Sequence, residues 1–197
     1  MTFGEIIVVR HGQSTWNSEG RWAGQADPPL TDHGRRQAAE LAERCRGARI
    51  GAVAASDLSR ARQTGLIVAD ALDLAPPAEL PDLRERWSRT ITGLTAEEIE
   101  NSFPGALAAW RRGTSTDLPG DSEVFGAFAG RVLRGLQAAA GLASVVLVVA
   151  HAGVFRVLGA AARTSTNAYV ENATGRRIVL GVDGISDNGP AFESSAR

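Results

Sequence analysis

The sequence predicts an α/β protein in which helices cover both faces of a mainly parallel central sheet. Three short apolar runs, over residues 5–9, 51–56 and 144–150, have the length and composition of buried strands rather than of helices. A helical stretch follows each run along the chain, and regular alternation of strands and helices is typical of a parallel sheet. We therefore expect a three-layer α/β/α sandwich.

Weaker signals place several further elements. Thr95 and Glu98 have the spacing of a capping box and predict the start of a helix. An apolar stripe over residues 124–136 predicts a long amphipathic helix. Two weak strands are expected around residues 168–172 and 176–182.

Length, composition and charge indicate one ordinary globular domain over residues 1–197. The chain has 44% hydrophobic and 22% charged residues, and its polar end, from about residue 187, is expected to be a loose tail. A formal net charge of −1 offers no general attraction for nucleic acid, so no such partner is expected. The longest apolar run, residues 145–150, is too short to span a membrane.

Cysteine content and the N-terminal sequence favour a cytoplasmic protein. A single cysteine, Cys45, excludes disulfide bonds within the chain, which fits a reducing compartment. The first residues lack the basic and then apolar pattern of a secretory signal. The oligomeric state cannot be read from the sequence, and a homo-oligomer stays open.

The first strand ends in residues that suit an anion. Arg10 and His11 follow the apolar run directly, at the end of a strand where α/β proteins usually bind ligands. Gly12 lets the backbone turn or approach a ligand closely, and Asn17 adds a side-chain amide. This arrangement favours a phosphoryl group, although an ordinary exit from strand to loop would also explain it.

The other two strands end in similar groups. Arg60 lies in the first turn of the helix after the second run, and His151 directly follows the third run. Helix N-termini favour anions, so Arg60 would reinforce such a site, whereas an exposed surface arginine is an equally good explanation of Arg60 alone. Because the strands are expected to be parallel, Arg10, His11, Arg60 and His151 should converge at one edge of the sheet.

These four side chains favour phosphate chemistry without a metal or another cofactor. Guanidinium groups match the oxygens of a phosphate monoester, and a neutral imidazole can attack phosphorus to form a phosphohistidine. A leaving alkoxide needs a proton, and Glu85, in a charged stretch that resembles a loop, is our candidate donor. The alternative for Glu85 is a solvated carboxylate paired with a neighbouring arginine.

The same residues resemble the histidine phosphatase superfamily, which has the phosphoglycerate-mutase-like fold, and its phosphatase branch in particular. Six segments carry the resemblance in order along the chain: residues 10–17, 24–38, 56–64, 83–85, 120–123 and 148–151. The resemblance implies a metal-independent phosphatase acting on a small phosphorylated metabolite. It makes His11 the phosphorylated nucleophile and Glu85 the proton donor. The positions it implies for binding phosphate or substrate are Arg10, Ser14, Asn17, Gly24, Arg60, His151 and Ala152.

Departures from the family pattern concern the mouth of the expected pocket and leave the substrate unidentified. Residues 89–93 replace a Gly-x-Trp-Glu-Gly stretch that many relatives carry, while Ala23 and Ala152 stand where other residues are usual.

Two other activities stay open on the sequence alone. A cofactor-dependent phosphoglycerate mutase is one, because Glu85–Arg86 and Arg111–Arg112 are similar to mutase segments, although residues 87–89 are not. A protein that binds a phosphorylated ligand without turnover is the other. The roles of Arg86, Arg89, Arg111 and Arg112 are likewise open.

Overall fold

A computed structural model describes residues 2–113, 115–164, 170–181 and 184–192. In this part of the chain, six strands form one sheet in the order β3-β2-β4-β1-β5-β6. The strands are β1 (Thr2–Arg10), β2 (Ala52–Ala55), β3 (Ala78–Glu79), β4 (Val145–Ala150), β5 (Gly175–Gly181) and β6 (Gly184–Pro190).

Four neighbouring strands of the sheet run parallel. β1 pairs with β4, β4 with β2, and β2 with β3, all in parallel register, whereas β5 and β6 add an antiparallel edge beyond β1. Arg10 is level with Ala150, and Val149 is level with Ala55. The residues that follow β1, β2 and β4 therefore emerge side by side at one edge, as the sequence predicts.

Seven α-helices and one 3₁₀ turn connect the described strands. The helices are α1 (Thr15–Ser18), α2 (Asp32–Cys45), α3 (Ser59–Ala71), α4 (Ala96–Ser102), α5 (Ala106–Arg112), α6 (Phe125–Ala140) and α7 (Ala152–Ala161), and the 3₁₀ turn covers Pro81–Leu83. The predicted amphipathic helix is α6, and α4 begins at the predicted capping box of Thr95 and Glu98. No helix of the described residues is both long and apolar enough to cross a membrane.

Helices pack on both faces of the sheet, which explains the unbroken apolar run of β1. Ile7 and Val9 face the helices α2 and α3, whereas Ile6 and Val8 face α6 and α7. All four of these side chains are fully buried, because successive residues of a strand point to opposite faces and both faces are covered here. The three-layer α/β/α prediction and the phosphoglycerate-mutase-like fold class are confirmed.

A third, smaller core lies between α4, α5 and the loops around them. Ile91, Ile99, Leu107 and Leu118 are buried together, and Trp22 and Trp110 pack against them. The two indole rings meet edge to face with their centroids 5.2 Å apart. This small core forms the outer wall of the cavity described below.

The prediction of a loose tail from residue 187 was wrong over residues 187–190. These residues belong to β6, which pairs with β5 through Leu180 and Ile185, and Asp187 forms an ion pair with Arg176 at 2.6 Å. Because the residues of this edge strand are mostly polar, they give no strand signal in the sequence. Residues 193–197 lie outside the described part of the chain.

Of the two weak strands predicted near the C-terminal end, one exists. The segment around residues 176–182 corresponds to β5, with residue 182 outside the described part. Residues 170–172 are not in a strand, and residues 168 and 169 are not described. Val170 and Asn172 instead contact the end of β1, where they help to build the site.

Candidate active site

A cavity of about 620 Å³ opens at the edge of the sheet where β1, β2 and β4 end. Its polar lining includes Arg10, His11, Asn17, Arg60, Glu85 and Asn172. Its apolar lining comes mainly from the small third core and from α6, and includes Trp22, Leu94, Leu107, Trp110 and Phe125. The cavity thus joins a cationic end to an apolar wall.

Two contacts fix the tautomer of His11. The Nδ1 atom lies 2.7 Å from the carbonyl oxygen of Gly12, which can only accept a hydrogen bond, so Nδ1 carries the proton. The Nε atom of Arg60 donates to Nε2 of His11 at 3.2 Å, so Nε2 presents a lone pair. The imidazole is therefore held neutral, with the lone pair of Nε2 directed toward the Arg60 guanidinium.

The surroundings of His11 keep its imidazole unprotonated. Burial lowers its pKa well below 6.5, and the charges of Arg60 and Arg10 lower it further. The pKa of His151 is lowered in the same way, first by burial and then by Arg60, His11 and Arg10. The two imidazole rings meet edge to face with centroids 5.1 Å apart, and His151 is completely buried.

Arg60 is held rigidly beside His11. Its Nη1 atom donates to the carbonyl of Ala26 and its Nη2 atom to the carbonyl of Gly24, both at 2.8 Å. Its side chain is almost fully buried at the start of α3, and burial lowers its pKa to about 10, so the guanidinium stays charged near neutral pH. The loop over residues 24–26 therefore serves to orient this cation.

The segment after α7 holds Arg10 and the backbone of His11, whereas Asn17 is held by Ser14. Nη1 of Arg10 donates to the carbonyl of Val170 at 2.8 Å, and Nδ2 of Asn172 donates to the carbonyl of His11 at the same distance. The Oδ1 atom of Asn17 accepts the backbone N–H of Ser14 at 3.1 Å, so its Nδ2 is the end of the amide offered to a ligand. Asn172 was missed because no local pattern marks it.

Ser14 corrects one detail of the predicted pocket. Its side chain is fully buried and caps α1, accepting the backbone N–H of Asn17 at 3.3 Å in a reciprocal capping box. Ser14 therefore orients Asn17 and does not reach the cavity itself. Gly24 and Ala152 line the cavity, and Gly24 also supplies the carbonyl that holds Arg60.

Glu85 lies across the cavity with its carboxylate held by two backbone N–H groups. Oε2 accepts from Gly153 at 3.0 Å, and Oε1 accepts from Arg86 at 2.8 Å. The alternative of a carboxylate paired with a neighbouring arginine side chain does not hold for Arg84, which is paired with Asp57 at 2.5 Å. Glu85 thus lines the same cavity as His11, with one oxygen fixed by the start of α7 and the other by the backbone of Arg86.

The four arginines whose roles were left open have different environments. Arg86 is buried in the cavity wall, where its Nε donates to the carbonyl of Glu123 at 2.6 Å, and Arg111 lies exposed at the cavity's edge. Arg89 is 84% exposed beside Asp121, and Arg112 is exposed at the end of α5. Only Arg86 and Arg111 of these four line the cavity.

Arg156 is a further cation of the cavity that the sequence did not single out. Its guanidinium carbon lies 3.6 Å from the ring centroid of Trp110, and its Nη2 donates to the Trp110 carbonyl at 2.8 Å. Burial lowers its pKa, and the nearby charge of Arg86 lowers it further. Two partly desolvated guanidiniums, those of Arg86 and Arg156, therefore line the same cavity as Glu85 and repel each other.

The described residues hold no group of three or more His, Cys, Asp or Glu side chains that could bind a metal ion. The single cysteine, Cys45, is buried in α2, and burial raises the pKa of its thiol to about 12. The polar side chains that line the cavity are the imidazole of His11, guanidiniums, amides and the carboxylate of Glu85, and the imidazole of His151 is buried beside that of His11.

Two imidazoles and several guanidiniums around one carboxylate define a site for phosphate esters, and comparison with known proteins gives it a family. The model of the histidine phosphatase superfamily (branch 1) matches residues 6–178. The chain belongs to this superfamily, as the sequence resemblance predicts.

Individual relatives agree with this assignment. The metal-independent phosphoserine phosphatase of Arabidopsis thaliana is 37% identical over 78% of this chain and 66% of its own length. The structure of Bacillus stearothermophilus YhfR matches with a TM-score of 0.82 and 25% identity, over 97% of this chain and 98% of that one. A mycobacterial glucosyl-3-phosphoglycerate phosphatase solved with VO3 matches with a TM-score of 0.79 and 25% identity, over 96% and 100% of the two chains. The chain spans only about half the length of several other curated relatives.

Proposed function

We propose that this protein is a metal-independent phosphatase that hydrolyses a small phosphorylated metabolite through a phosphohistidine on His11. One observation carries the proposal: a neutral imidazole of fixed tautomer contacts Arg60 and senses the charge of Arg10 in a cavity that also holds Glu85. A site for ligand binding alone would not require the lone pair of Nε2 to be kept unprotonated. The family and the phosphatases among its relatives support the same activity.

The first half of the reaction transfers the phosphoryl group to the protein. Nε2 of His11 attacks phosphorus, the ester P–O bond breaks, and the leaving oxygen takes a proton from the carboxyl group of Glu85. The incoming phosphoryl group replaces Arg60 as the partner of Nε2, while Arg10, Arg60 and the amide of Asn17 bind its oxygens. The arginines also stabilise the charge on these oxygens in the transition state.

The second half returns the protein to its starting state. The Glu85 carboxylate takes a proton from water as the water oxygen attacks the phosphohistidine, the P–N bond breaks, and inorganic phosphate leaves. His11 regains its neutral imidazole, and Glu85 regains its proton. The Nδ1–H bond to the Gly12 carbonyl holds the ring in place through both steps.

The outer part of the cavity supports a substrate whose alcohol carries a second anionic group. Arg86 and Arg156 face this part of the cavity, and a ligand anion between them would relieve the mutual repulsion of their charges. The apolar wall beside Trp110 leaves room for a carbon skeleton. Two phosphatases among the relatives are named for phosphoserine and glucosyl-3-phosphoglycerate, which are both phosphate esters of carboxylic acids.

The cytoplasm is the proposed site of action. A single cysteine, buried and without a partner for a disulfide in the chain, fits a reducing compartment, and phosphorylated metabolites are made inside cells.

A phosphate-release assay tests the activity. We expect the protein to hydrolyse p-nitrophenyl phosphate and one or more phosphorylated carboxylic acids from a metabolite panel. Activity should be unchanged by EDTA and inhibited competitively by vanadate. The His11→Ala variant should lose about a thousandfold or more in kcat, whereas His33→Ala, on the exposed side of α2, should keep full activity.

The assay also separates the competing activities. Transfer between 3-phosphoglycerate and 2,3-bisphosphoglycerate without net release of phosphate would replace the proposal by a mutase. Tight binding of phosphate esters without turnover of any of them would replace it by a binding protein. Inactivation by EDTA that is reversed by a divalent metal would contradict the mechanism.

A further inference from the structure

An arginine of α6 binds the backbone of the segment that ends in Glu85. Nη1 of Arg131 donates to the carbonyl of Asp82 at 3.0 Å and to that of Arg84 at 2.6 Å. Its Nη2 donates to the carbonyl of Glu85 itself at 2.9 Å. Three carbonyls in the four residues from 82 to 85 are thus held by one guanidinium. The side chain of Arg131 is only 13% exposed.

The same guanidinium forms a two-pronged ion pair with Glu123. Nε of Arg131 donates to Oε1 and Nη2 donates to Oε2, both at 2.7 Å. Glu123 is itself buried, and its backbone N–H donates to the carbonyl of Trp87 at 3.0 Å. The pair therefore holds residues on both sides of Glu85, at positions 82–84 and 87.

We propose that the Arg131–Glu123 pair positions Glu85 for proton transfer, an inference that rests on the proposed phosphatase function. The carboxylate of Glu85 is fixed by the backbone N–H groups of Gly153 and Arg86, so its place depends on where residues 82–87 lie. Arg131 does not line the cavity, and it acts only through this backbone. Arg131 and Glu123 are positioning residues in this account.

Disturbing the Arg131–Glu123 pair carries a large free-energy cost. Loss of the guanidinium would leave three carbonyls without this donor and the buried carboxylate of Glu123 without its cation, and a buried charge that loses its partner is strongly unfavourable. The segment would shift to hydrate these groups. Because a displacement of about 1 Å can cost on the order of a hundredfold in rate, a small shift is enough to impair the acid.

The variants Arg131→Lys and Glu123→Gln test the proposal, since both keep the size and polarity of the site. Arg131→Lys keeps the charge and loses the planar fork, while Glu123→Gln keeps the shape and loses the charge. Arg134→Lys is the matched control, because Arg134 lies one turn further along α6, is 65% exposed, and pairs with the side chain of Asp82 at 3.3 Å. Thermal unfolding verifies that each variant is folded.

The readout is the dependence of kcat/KM on the leaving group, measured with p-nitrophenyl, phenyl and benzyl phosphate. The p-nitrophenolate ion leaves without needing a proton, whereas the benzyl alkoxide needs one, so a displaced acid affects the substrates unequally. We expect both variants to lose about threefold or less with p-nitrophenyl phosphate and about tenfold or more with benzyl phosphate. In the Glu85→Gln variant, the loss should likewise be smallest with p-nitrophenyl phosphate and largest with benzyl phosphate. Arg134→Lys should match the wild-type protein.

The outcomes distinguish this proposal from the function on which it rests. Equal losses with all three substrates in folded variants, or no loss with any of them, would overturn the positioning role and leave the phosphatase function intact. A wild-type protein that hydrolyses none of the three substrates would overturn the proposed function, and the positioning role with it. Losses that grow from p-nitrophenyl to benzyl phosphate support both.

Discussion

At the scale of single residues, the central feature is a neutral histidine among cations. His11 and His151 are both buried near Arg10 and Arg60, and burial and these charges each disfavour the imidazolium form. A histidine that acts as a nucleophile needs an unprotonated ring nitrogen. An environment that disfavours the imidazolium cation therefore favours this role. In the proposed mechanism, Arg10 and Arg60 therefore keep the imidazole neutral as well as bind the phosphate.

This environment makes stability depend on pH. Both folded-state pKa values lie below 6.5, so as the pH falls below about 6.5 the unfolded chain binds protons that the folded chain does not. The contribution of the two imidazoles to the free energy of unfolding is therefore fully present above this pH. Below it, the free energy of unfolding decreases by on the order of 1 kcal/mol per pH unit for each imidazole. Chemical denaturation between pH 5 and 8 measures this dependence.

A matched pair of variants assigns the effect to the buried histidines. His11→Gln should reduce the slope of stability against pH below about pH 6.5, because one buried imidazole is removed. His33→Gln should leave the slope as it is, since His33 is exposed. An unchanged slope in His11→Gln would show that His11 is protonated in the folded protein and would contradict its role as a neutral nucleophile.

At the scale of elements, the start of α7 holds Glu85, the proposed acid. The backbone N–H of Gly153, in the first turn of this helix, donates to Glu85, and a Cβ atom at position 153 would lie 2.1 Å from Oε1 of Glu85. A distance this short cannot be accommodated without moving the carboxylate. The helix and the loop of residues 82–87 are therefore fitted to each other without space for a methyl group.

Gly153→Ala should separate activity from stability. We expect kcat/KM with benzyl phosphate to fall about tenfold or more, because the methyl group displaces the acid, while the better helix propensity of alanine offsets part of the strain. The control is Gly126→Ala in α6, where a Cβ atom would meet nothing within 4 Å, and which should be as active as the wild type. Full activity in Gly153→Ala would show that Glu85 is not held at this helix during the reaction.

At the scale of the whole molecule, parallel strands bring distant segments of the chain to one place. Residues 10–11, 60 and 151 follow three different strands, and the register of β1 with β4 and of β4 with β2 puts these strand ends side by side. The formal charge of the whole chain is only −1, yet the cavity gathers several arginines around one carboxylate. Anion binding at this cavity therefore depends on how the topology places the arginines, and not on the net charge of the chain.

The parts of this arrangement that the sequence could predict are those with a local signal. Short apolar runs that end in Arg10, His11 or His151 indicate both the strand and the end at which a ligand binds, so the sheet and the convergence of these residues were predictable. Ser14 shows the limit of such reasoning, because its place three residues before Asn17 fits either a phosphate ligand or a helix cap, and only the fold distinguishes them.

The parts that could not be predicted depend on long-range contacts. Arg131, Arg156 and Asn172 meet the site through the packing of α6, α7 and the segment before β5, and no spacing in the sequence connects them to His11. The strand β6 has no apolar alternation, because it lies at the edge of the sheet and pairs through its backbone. These features are visible only once the chain is folded.

Direct detection of the phosphorylated intermediate tests the central claim most sharply. Wild-type protein mixed with a ³²P-labelled substrate and quenched within milliseconds should carry a phosphoryl group that is stable in alkali, labile in acid, and located on His11 by mass spectrometry. The His11→Asn variant should carry none, and Glu85→Gln should accumulate the label if water attack becomes slow. Turnover without any labelled protein, or a label on a residue other than His11, would contradict the account.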